Sequence, residues 1–319
     1  MTGSDVTGPD VTGPELTGPE TDAQVRPWLA ELGIPGLVDL HTHFLPERVL
    51  QKVWAYFDQA GTHYGMDWPI HYRHDEPTRL RLLGELGVTT FAPLVYPHKT
   101  GMAEWLNEWA LDFGARTPGA VPTATLYPEP GMARSLSAAL DSGARCVKVH
   151  VQVGGFDPRD PLLDECWGRL AEAGVPVVVH CGHGPLRGAH TGLDVFGEVL
   201  RRHPALTAVL AHAGMPEYGA ALDLVHRYER VHLDTTMVGV AFTEQFAPLP
   251  ADWSAQLAAV RDRVVLGTDF PNIPYPYAEQ LAAIAGWAGA DDRLGTDFLR
   301  AALLRNPARL LGVDGADQA

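Results

Sequence analysis

The sequence predicts a single α/β domain folded as a closed (β/α)8 barrel, preceded by a disordered N-terminal tail. Short apolar runs recur from Leu37 onward, and a longer amphipathic stretch follows each of them. Residues able to bind a metal or move a proton stand at the C-terminal ends of several runs, where barrel enzymes gather their active-site groups. A chain of 319 residues, 46% hydrophobic and 20% charged, can bury one such barrel.

Eight apolar runs are predicted to be the strands. They are Leu37–His41, Val88–Val95, Ala120–Leu126, Cys146–Val151, Val175–His180, Leu206–Ala211, Val231–Leu233 and Val264–Gly267. Intervening segments such as Met102–Gly114, Pro161–Ala173, Asp194–His203 and Pro216–Tyr228 are predicted to be helices. This alternation is typical of βαβ units. No Gly-x-Gly-x-x-Gly follows the first run, which weighs against an open dinucleotide-binding sheet.

The first 22 residues repeat a five-residue unit, Val-Thr-Gly-Pro-Asp and its variants. Glycine and proline in each unit oppose helix and sheet formation, and the units offer little apolar surface to bury. We therefore expect residues 1–22 to form a disordered acidic tail and residues 23–319 to form the barrel.

Charge and composition exclude several classes of partner. A formal net charge of −15 argues against nucleic acid or an anionic membrane, because both attract basic surfaces. No apolar run approaches the roughly 18 residues that cross a membrane, and the N-terminus lacks a signal-peptide pattern. Three cysteines without framework spacing predict a reducing compartment. We expect a cytoplasmic protein acting on a small molecule, and a homodimer is a common assembly for such enzymes.

The histidine pair at the end of the first strand begins the predicted site. His41 and His43 are two residues apart, so their side chains point to the same face of the strand. A divalent cation would bridge two such imidazoles. His180 and Asp269, at the ends of the fifth and eighth strands, would complete a set of three nitrogens and one oxygen with a position left for water.

Other strand-end residues strengthen this interpretation, since a lone His-x-His pair often arises by chance. Lys148 and His150 lie on the fourth strand, and His212 follows the sixth. His150 is assigned to substrate binding, with a core histidine as the alternative. A metal-free site that uses the same residues as bases and electrophiles stays open.

Four motifs and the chain's end resemble the amidohydrolase superfamily, in its amidohydrolase-related branch. The matching pieces are Val38–His43, Val179–Gly182, Leu210–Gly214, Leu266–Pro271 and Asn306–Gly312. The resemblance covers roughly residues 37 to 312 and implies that His41, His43, His180 and Asp269 bind one divalent metal ion. Imidazole and carboxylate ligands suit zinc first, with manganese, iron or cobalt as alternatives.

The resemblance also implies roles for two further residues. His212 matches the strand-six histidine that polarises the substrate or shuttles a proton. Lys148 matches a lysine that is carbamylated and bridges two metals in some relatives, and contacts a substrate carboxylate or carbonyl oxygen in others. Decarboxylases of the branch generally lack this lysine, so its presence favours hydrolysis.

The implied function is a metal-dependent hydrolase that cleaves an amide, lactone or related carbonyl bond through metal-activated water. Asp269 would take the water's proton and pass it to the leaving group. Three alternatives stay open: a non-oxidative decarboxylase (carboxy-lyase) resembling aminocarboxymuconate-semialdehyde decarboxylase, a metal-free lactonase, and a non-enzymatic ligand-sensing barrel.

Two loops are predicted to face the substrate. After the fifth strand, His183 and Arg187 are assigned to substrate binding, because a guanidinium binds a carboxylate with two hydrogen bonds. A solvated loop charge is the alternative for Arg187. The aromatic- and histidine-rich segment His63–His74 is interpreted as a lid, or as an ordinary surface loop. Asp39 and Asp234 are predicted to support the structure.

Overall fold

The computed structural model describes residues 16–313, which form a closed barrel of eight parallel strands with helices outside. The strands are β1 (Leu37–Thr42), β2 (Val88–Pro93), β3 (Thr123–Thr125), β4 (Cys146–His150), β5 (Val177–His180), β6 (Ala208–Leu210), β7 (Val231–Asp234) and β8 (Val264–Val265). Each predicted run overlaps one of them, so the predicted fold class is confirmed.

The barrel is closed at two junctions. Strands β1 and β2 pair with each other, and β3 to β8 pair in chain order. A parallel bridge between Phe91 and Ala120 joins the two sets on one side, and a bridge between Thr42 and Phe270 joins them on the other. The second junction brings the carboxyl end of the first strand against the segment that follows the last.

Fifteen α-helices lie within residues 16–313. They are α1 (Val25–Glu31), α2 (Glu47–Phe57), α3 (Ala60–Tyr64), α4 (Glu76–Glu85), α5 (Ala103–Arg116), α6 (Met132–Asp141), α7 (Val151–Gly154), α8 (Pro161–Ala173), α9 (Leu193–Arg202), α10 (Tyr218–Arg227), α11 (Ala241–Glu244), α12 (Trp253–Ala258), α13 (Tyr277–Gly289), α14 (Gly295–Arg300) and α15 (Asn306–Leu311). Short 3-10 turns occupy Asp22–Gln24, Ala211–Gly214 and Arg261–Arg263, and a π-helical turn occupies Ala301–Arg305. None of the helices in this range has the length and apolar character that crossing a membrane requires.

Helix α8 illustrates how local sequence sets an element. The Asp160 side chain accepts a hydrogen bond from the Leu162 N–H, and Pro161 occupies the first turn, where its missing N–H is harmless. Gly174 ends the helix with a φ of 66°, a conformation that glycine adopts without strain. One face, bearing Leu163, Cys166, Trp167 and Leu170, is fully buried against the core.

Residues 16–22 depart from the predicted disordered tail, because they lie against the barrel. The backbone oxygen of Thr17 accepts a hydrogen bond from the Trp28 indole at 3.0 Å. Gly18 lies so close to α13 that a Cβ on it would stand 2.3 Å from the Cα of Ala282. Only glycine permits this approach, so the folded unit begins before the predicted boundary. The first fifteen residues of the predicted tail lie outside the described residues.

Candidate metal centre

Seven side chains named from the sequence line one cavity of about 410 Å³ at the carboxyl end of the barrel. They are His41, His43, Lys148, His150, His180, His212 and Asp269. They come together because parallel strands in a barrel present their carboxyl ends at the same rim.

Asp269 stands at the middle of this cluster. Its Oδ1 lies 3.1 Å from Nε2 of His41 and 3.0 Å from Nε2 of His43, and its Oδ2 lies 3.9 Å from Nε2 of His212. Burial raises the pKa of Asp269, but the surrounding histidines outweigh burial and hold that pKa well below its usual range. The carboxylate is therefore ionised.

The backbone at Asp269 is strained. Its φ of 66° lies in the left-handed region, which few residues other than glycine adopt. A hydrogen bond of 2.8 Å from its N–H to the backbone oxygen of His41 holds it there. His212, with a φ of 55°, is in the same region. Such strain persists where surrounding structure enforces it, often at functional sites.

The hydrogen bonds of the histidine pair decide which ring nitrogen is free. Nδ1 of His41 donates to Oδ2 of Asp234 at 2.8 Å, and Nδ1 of His43 donates to the backbone oxygen of Leu94 at 3.0 Å. Both partners are oxygens that only accept, so each ring carries a proton on Nδ1 when its Nε2 binds an ion. The lone pair on Nε2 of His41 is free and accepts from Nζ of Lys148 at 2.7 Å. Nε2 of His43 faces a second acceptor, Oδ1 of Asp269 at 3.0 Å, and a cation between these two atoms would make that contact favourable.

His180 and His212 follow the same logic. Nε2 of His180 donates to the backbone oxygen of Gly184 at 2.8 Å, which leaves Nδ1 unprotonated. Nδ1 of His212 donates to the backbone oxygen of Thr236 at 3.1 Å, which leaves Nε2 unprotonated. Burial lowers the pKa of both rings, so they are neutral, as metal ligands must be.

These donors fit a divalent metal ion. The ligand atoms of His41, His43 and Asp269 lie within 4.8 Å of one another, a spacing that one ion can bridge. His180 is not part of this tight group, although its ring centroid lies 4.6 Å from that of His212. Neutral imidazoles, each fixed by a second hydrogen bond, and one carboxylate are the ligands typical of catalytic zinc sites.

Asp234 supports the centre from behind. Besides accepting from His41, it accepts the backbone N–H of His212 at 2.7 Å and that of Thr236 at 3.1 Å through Oδ1. It is fully buried. One carboxylate thus ties β1, β7 and the turn after β6 together.

Asp39 points away from the cavity, as strand alternation predicts. Its Oδ2 accepts from Thr268 Oγ1 at 2.6 Å and from the Tyr277 hydroxyl at 3.0 Å. Burial raises the pKa of Asp39 to about 7. Its contacts brace the segment that leads to Asp269.

Lys148 is the residue least compatible with a simple ligand set. It is fully buried, and its Nζ lies 2.7 Å from Nε2 of His41. Burial lowers the pKa of Lys148 to about 8. The lysine and a metal ion therefore compete for the same lone pair of His41.

The three residues assigned to substrate binding occupy different surroundings. His150 lines the cavity and stacks on His180 with ring centroids 4.0 Å apart, because the β4–β5 register places them side by side. His183 lies outside the cavity lining and hydrogen-bonds Oγ1 of Thr191 at 2.8 Å. Arg187 is exposed and also outside the lining, so the structure gives its predicted carboxylate contact no support.

Five aromatic side chains line the cavity and are called the aromatic wall below. Its rings are those of Tyr56, Phe57, Tyr64, Trp68 and Tyr96. Two of them fall in the predicted lid His63–His74, but the aromatic wall begins earlier, at the end of α2. Sequence reasoning missed α2, although apolar residues recur along it at helical spacing.

The charges of the cavity lining differ from those of the whole chain. Among residues 16–313, Asp269 is the one carboxylate that lines it, against two lysines, Lys52 and Lys148. The chain as a whole carries a formal charge of −15. The cavity is thus locally suited to an anionic ligand.

Comparisons with known proteins agree with this architecture. A family model described as amidohydrolase matches residues 38–313. A search of curated proteins finds no match.

Similar solved structures include an uncharacterized TIM-barrel protein from Bordetella bronchiseptica, at 17% identity and a TM-score of 0.63 over 87% of this chain and 98% of that one. An amidohydrolase from Burkholderia multivorans with bound zinc has 17% identity and a TM-score of 0.60 over 87% and 99%. The 5-carboxyvanillate decarboxylase of Novosphingobium aromaticivorans, complexed with manganese and 4-hydroxy-3-methoxy-5-nitrobenzoic acid, has 15% identity and a TM-score of 0.57 over 89% and 97%. At these identities the likeness concerns the fold alone.

Proposed function

Because the chain belongs to the amidohydrolase family, we propose that it is a metal-dependent hydrolase cleaving a carbonyl bond of a small anionic molecule. The observation that carries the proposal is the position of Asp269. One of its oxygens faces the Nε2 atoms of His41 and His43, and the other is nearer His212. A carboxylate in this position can bind a metal ion through one oxygen and accept or donate a proton through the other.

The proposed ligands are His41, His43, His180 through Nδ1, and Asp269. Zinc is the first candidate for this donor set, with manganese, iron or cobalt as alternatives. When bound, such an ion would polarise the scissile carbonyl and lower the pKa of a water molecule. Whether one or two ions bind depends on Lys148, which would have to be carbamylated to bridge a pair.

Three side chains carry the proton and charge movements. Asp269 takes a proton from the attacking water and returns it to the leaving group. His212 is neutral with a free Nε2, so it acts first as a proton acceptor rather than as a donor to the carbonyl oxygen. Lys148 supplies the positive charge that offsets the oxyanion.

The substrate is proposed to combine an apolar ring or chain with an anionic group. A cavity of about 410 Å³ holds a small molecule, and aromatic rings line part of it. Lys52 lies in the lining and suits a carboxylate better than the exposed Arg187 does.

A non-oxidative decarboxylase is the second candidate. The solved decarboxylase of similar fold was complexed with an aromatic acid, and this cavity is aromatic and bears a single carboxylate. In that reaction Asp269 or His212 would first take a proton from solvent and would then deliver it to the carbon that loses its carboxyl group. Release of carbon dioxide without consumption of water distinguishes it from hydrolysis.

The test combines elemental analysis with a panel of aryl amides, lactones and aromatic carboxylic acids. We expect about one metal ion per chain, loss of activity on chelation, and a fall in activity of about 10²- to 10⁴-fold in Asp269→Asn. The matched control Asp141→Asn, at an exposed position that ends α6, should keep full activity. Near-normal turnover by Asp269→Asn would overturn the proposal. Turnover that survives complete metal removal would also overturn it, and would favour the metal-free lactonase.

A further inference from the structure

Asn272 follows Asp269 by three residues, and nearly all its hydrogen-bonding groups are already engaged. Its backbone N–H donates to the backbone oxygen of Asp269 at 2.8 Å. Its backbone oxygen accepts from the Trp68 indole at 2.7 Å, and its side-chain Oδ1 accepts from the Trp54 indole at 3.0 Å. The two tryptophans thus hold both oxygens of one residue.

The Trp54 contact decides the orientation of the Asn272 amide. An indole N–H can only donate, so the amide atom facing Trp54 must be the oxygen. The amide nitrogen, Nδ2, therefore occupies the other position. Trp54 is itself buried, which keeps this orientation in place.

Nδ2 is the one group of Asn272 left without a protein partner in the described part of the chain. Asn272 is only 4% exposed, and it lines the cavity that holds Asp269. Nδ2 is not one of the fully buried nitrogens that lack a partner among residues 16–313, so it reaches the cavity, where an oxygen of water or of a ligand can accept its hydrogen. The polar face of Asn272 is thus prepared for a ligand oxygen.

We propose that Asn272 is a specificity-determining residue that donates from Nδ2 to a carboxylate oxygen of the substrate, and that Trp54 positions it. The proposal rests on the proposed function for the presence of a substrate in this cavity. An anionic oxygen fits better than a neutral one, since Asp269 is the sole carboxylate among the lining residues. The aromatic wall of the same cavity suits a ring attached to that carboxylate.

Benzoate is a suitable probe, because it joins a ring to a carboxylate and fits the cavity. Calorimetric titration of the metal-loaded full chain should show benzoate binding with a millimolar or lower Kd. Asn272→Ala should raise the Kd about ten- to a hundredfold, as expected for a lost hydrogen bond to a charged group. Asn272→Asp keeps the shape and the Trp54 contact but places an acceptor before the anion, so its Kd should rise at least as much.

Trp54→Phe tests the positioning role. It keeps an aromatic ring but removes the indole N–H, so the amide is free to turn, and the Kd should rise by less than in Asn272→Ala. The matched control is Trp105→Phe, at an exposed position of α5 outside the cavity lining, which should leave the Kd unchanged. Metal content and the urea midpoint of each variant show whether the centre and the fold remain intact.

Absence of benzoate binding to the wild-type protein, or an equal Kd in wild type and both Asn272 variants, would overturn the inference. Failure of the proposed function has a different signature. A wild-type protein that lacks hydrolytic activity, but whose benzoate Kd still depends on Asn272, would refute hydrolysis and retain this binding role. With a substrate in hand, Asn272→Ala should raise KM more than it lowers kcat.

Discussion

Replacing Asp234 by asparagine tests whether its hydrogen bond with Nδ1 of His41 determines which nitrogen of that ring can bind a metal ion. The amide oxygen of Asp234→Asn can still accept the N–H groups of His212 and Thr236, as Oδ1 of Asp234 does now. The amide nitrogen then replaces Oδ2, which accepts from Nδ1 of His41 at 2.8 Å. Two N–H groups repel each other, so the variant favours the His41 proton on Nε2, where it displaces the contact of 2.7 Å with Nζ of Lys148.

The consequence is loss of the lone pair that Nε2 of His41 offers to the centre. Removing the hydrogen-bond partner of a metal-binding histidine typically weakens metal binding about ten- to a hundredfold. That range corresponds to about 1.4 to 2.7 kcal/mol. The loss in Asp234→Asn should lie toward the upper end, because the substitution also removes a fully buried negative charge near the proposed ion.

Zinc affinity is measured by competition with a chromophoric chelator, and urea unfolding of the metal-free protein is followed in parallel. The expected result is weaker zinc binding with a folded metal-free state. Asp223→Asn, at an exposed position of α10, is the matched control. Zinc affinity within twofold of wild type for Asp234→Asn would refute the argument about the ring nitrogen.

Two further predictions concern stability. Gly267→Ala should destabilise the fold by about 1 to 3 kcal/mol and reduce metal content, because its Cβ would stand 2.4 Å from Oγ1 of the buried Thr236. His232 has its pKa lowered to about 4, first by burial and then by nearby arginines, and its Nδ1 has no partner among residues 16–313. Unfolding restores the ordinary pKa near 6.5, so the unfolded state gains a proton first and stability falls as pH drops from about 6.5 to 4, by roughly 3 kcal/mol. His232→Gln should remove that part of the pH dependence in urea-unfolding curves.

Each of these predictions has a control at a position with different surroundings. Gly286→Ala lies in α13 with no heavy atom within 4 Å of the new Cβ, and it should leave the protein equally or more stable. His74→Gln removes an exposed histidine and should leave the pH profile of stability unchanged. Equal destabilisation by the two alanines, or unchanged acid sensitivity in His232→Gln, would contradict the reasoning.

The strands and the identity of the strand-end groups could be predicted because each depends on local pattern. A run such as Val175–His180 is apolar at almost every position, and a barrel leaves few places where its terminal histidine can lie. Which nitrogen of His180 is free could not be predicted. That depends on the backbone oxygen of Gly184, whose position is set by the path of a loop.

Loop conformation also explains why some roles predicted from the sequence differ from the positions that these residues occupy in the structure. Arg187 has the right chemistry for a carboxylate, but its loop leaves it exposed. Asn272 stands directly after the motif that ends at Pro271, and its role depends on two tryptophans more than 200 residues away in the chain. Contacts between residues so far apart in the chain leave no periodic pattern in the sequence. Residues 16–22 were misjudged for a similar reason, since their composition does not reveal a receiving surface on α13.

The closure of the barrel and the proposed metal centre share the same backbone contacts. The His41 oxygen accepts the N–H of Asp269, and the His43 N–H donates to the Phe270 oxygen at 2.7 Å, where the first strand meets the segment after the last. An ion held by His41, His43 and Asp269 would therefore link the first strand to the segment that follows the last strand. By thermodynamic linkage, free metal at a hundred times its Kd would add about 2.7 kcal/mol to the free energy of unfolding. Metal binding and closure of the barrel would then be thermodynamically coupled, and the coupling would be visible as a metal-dependent Tm.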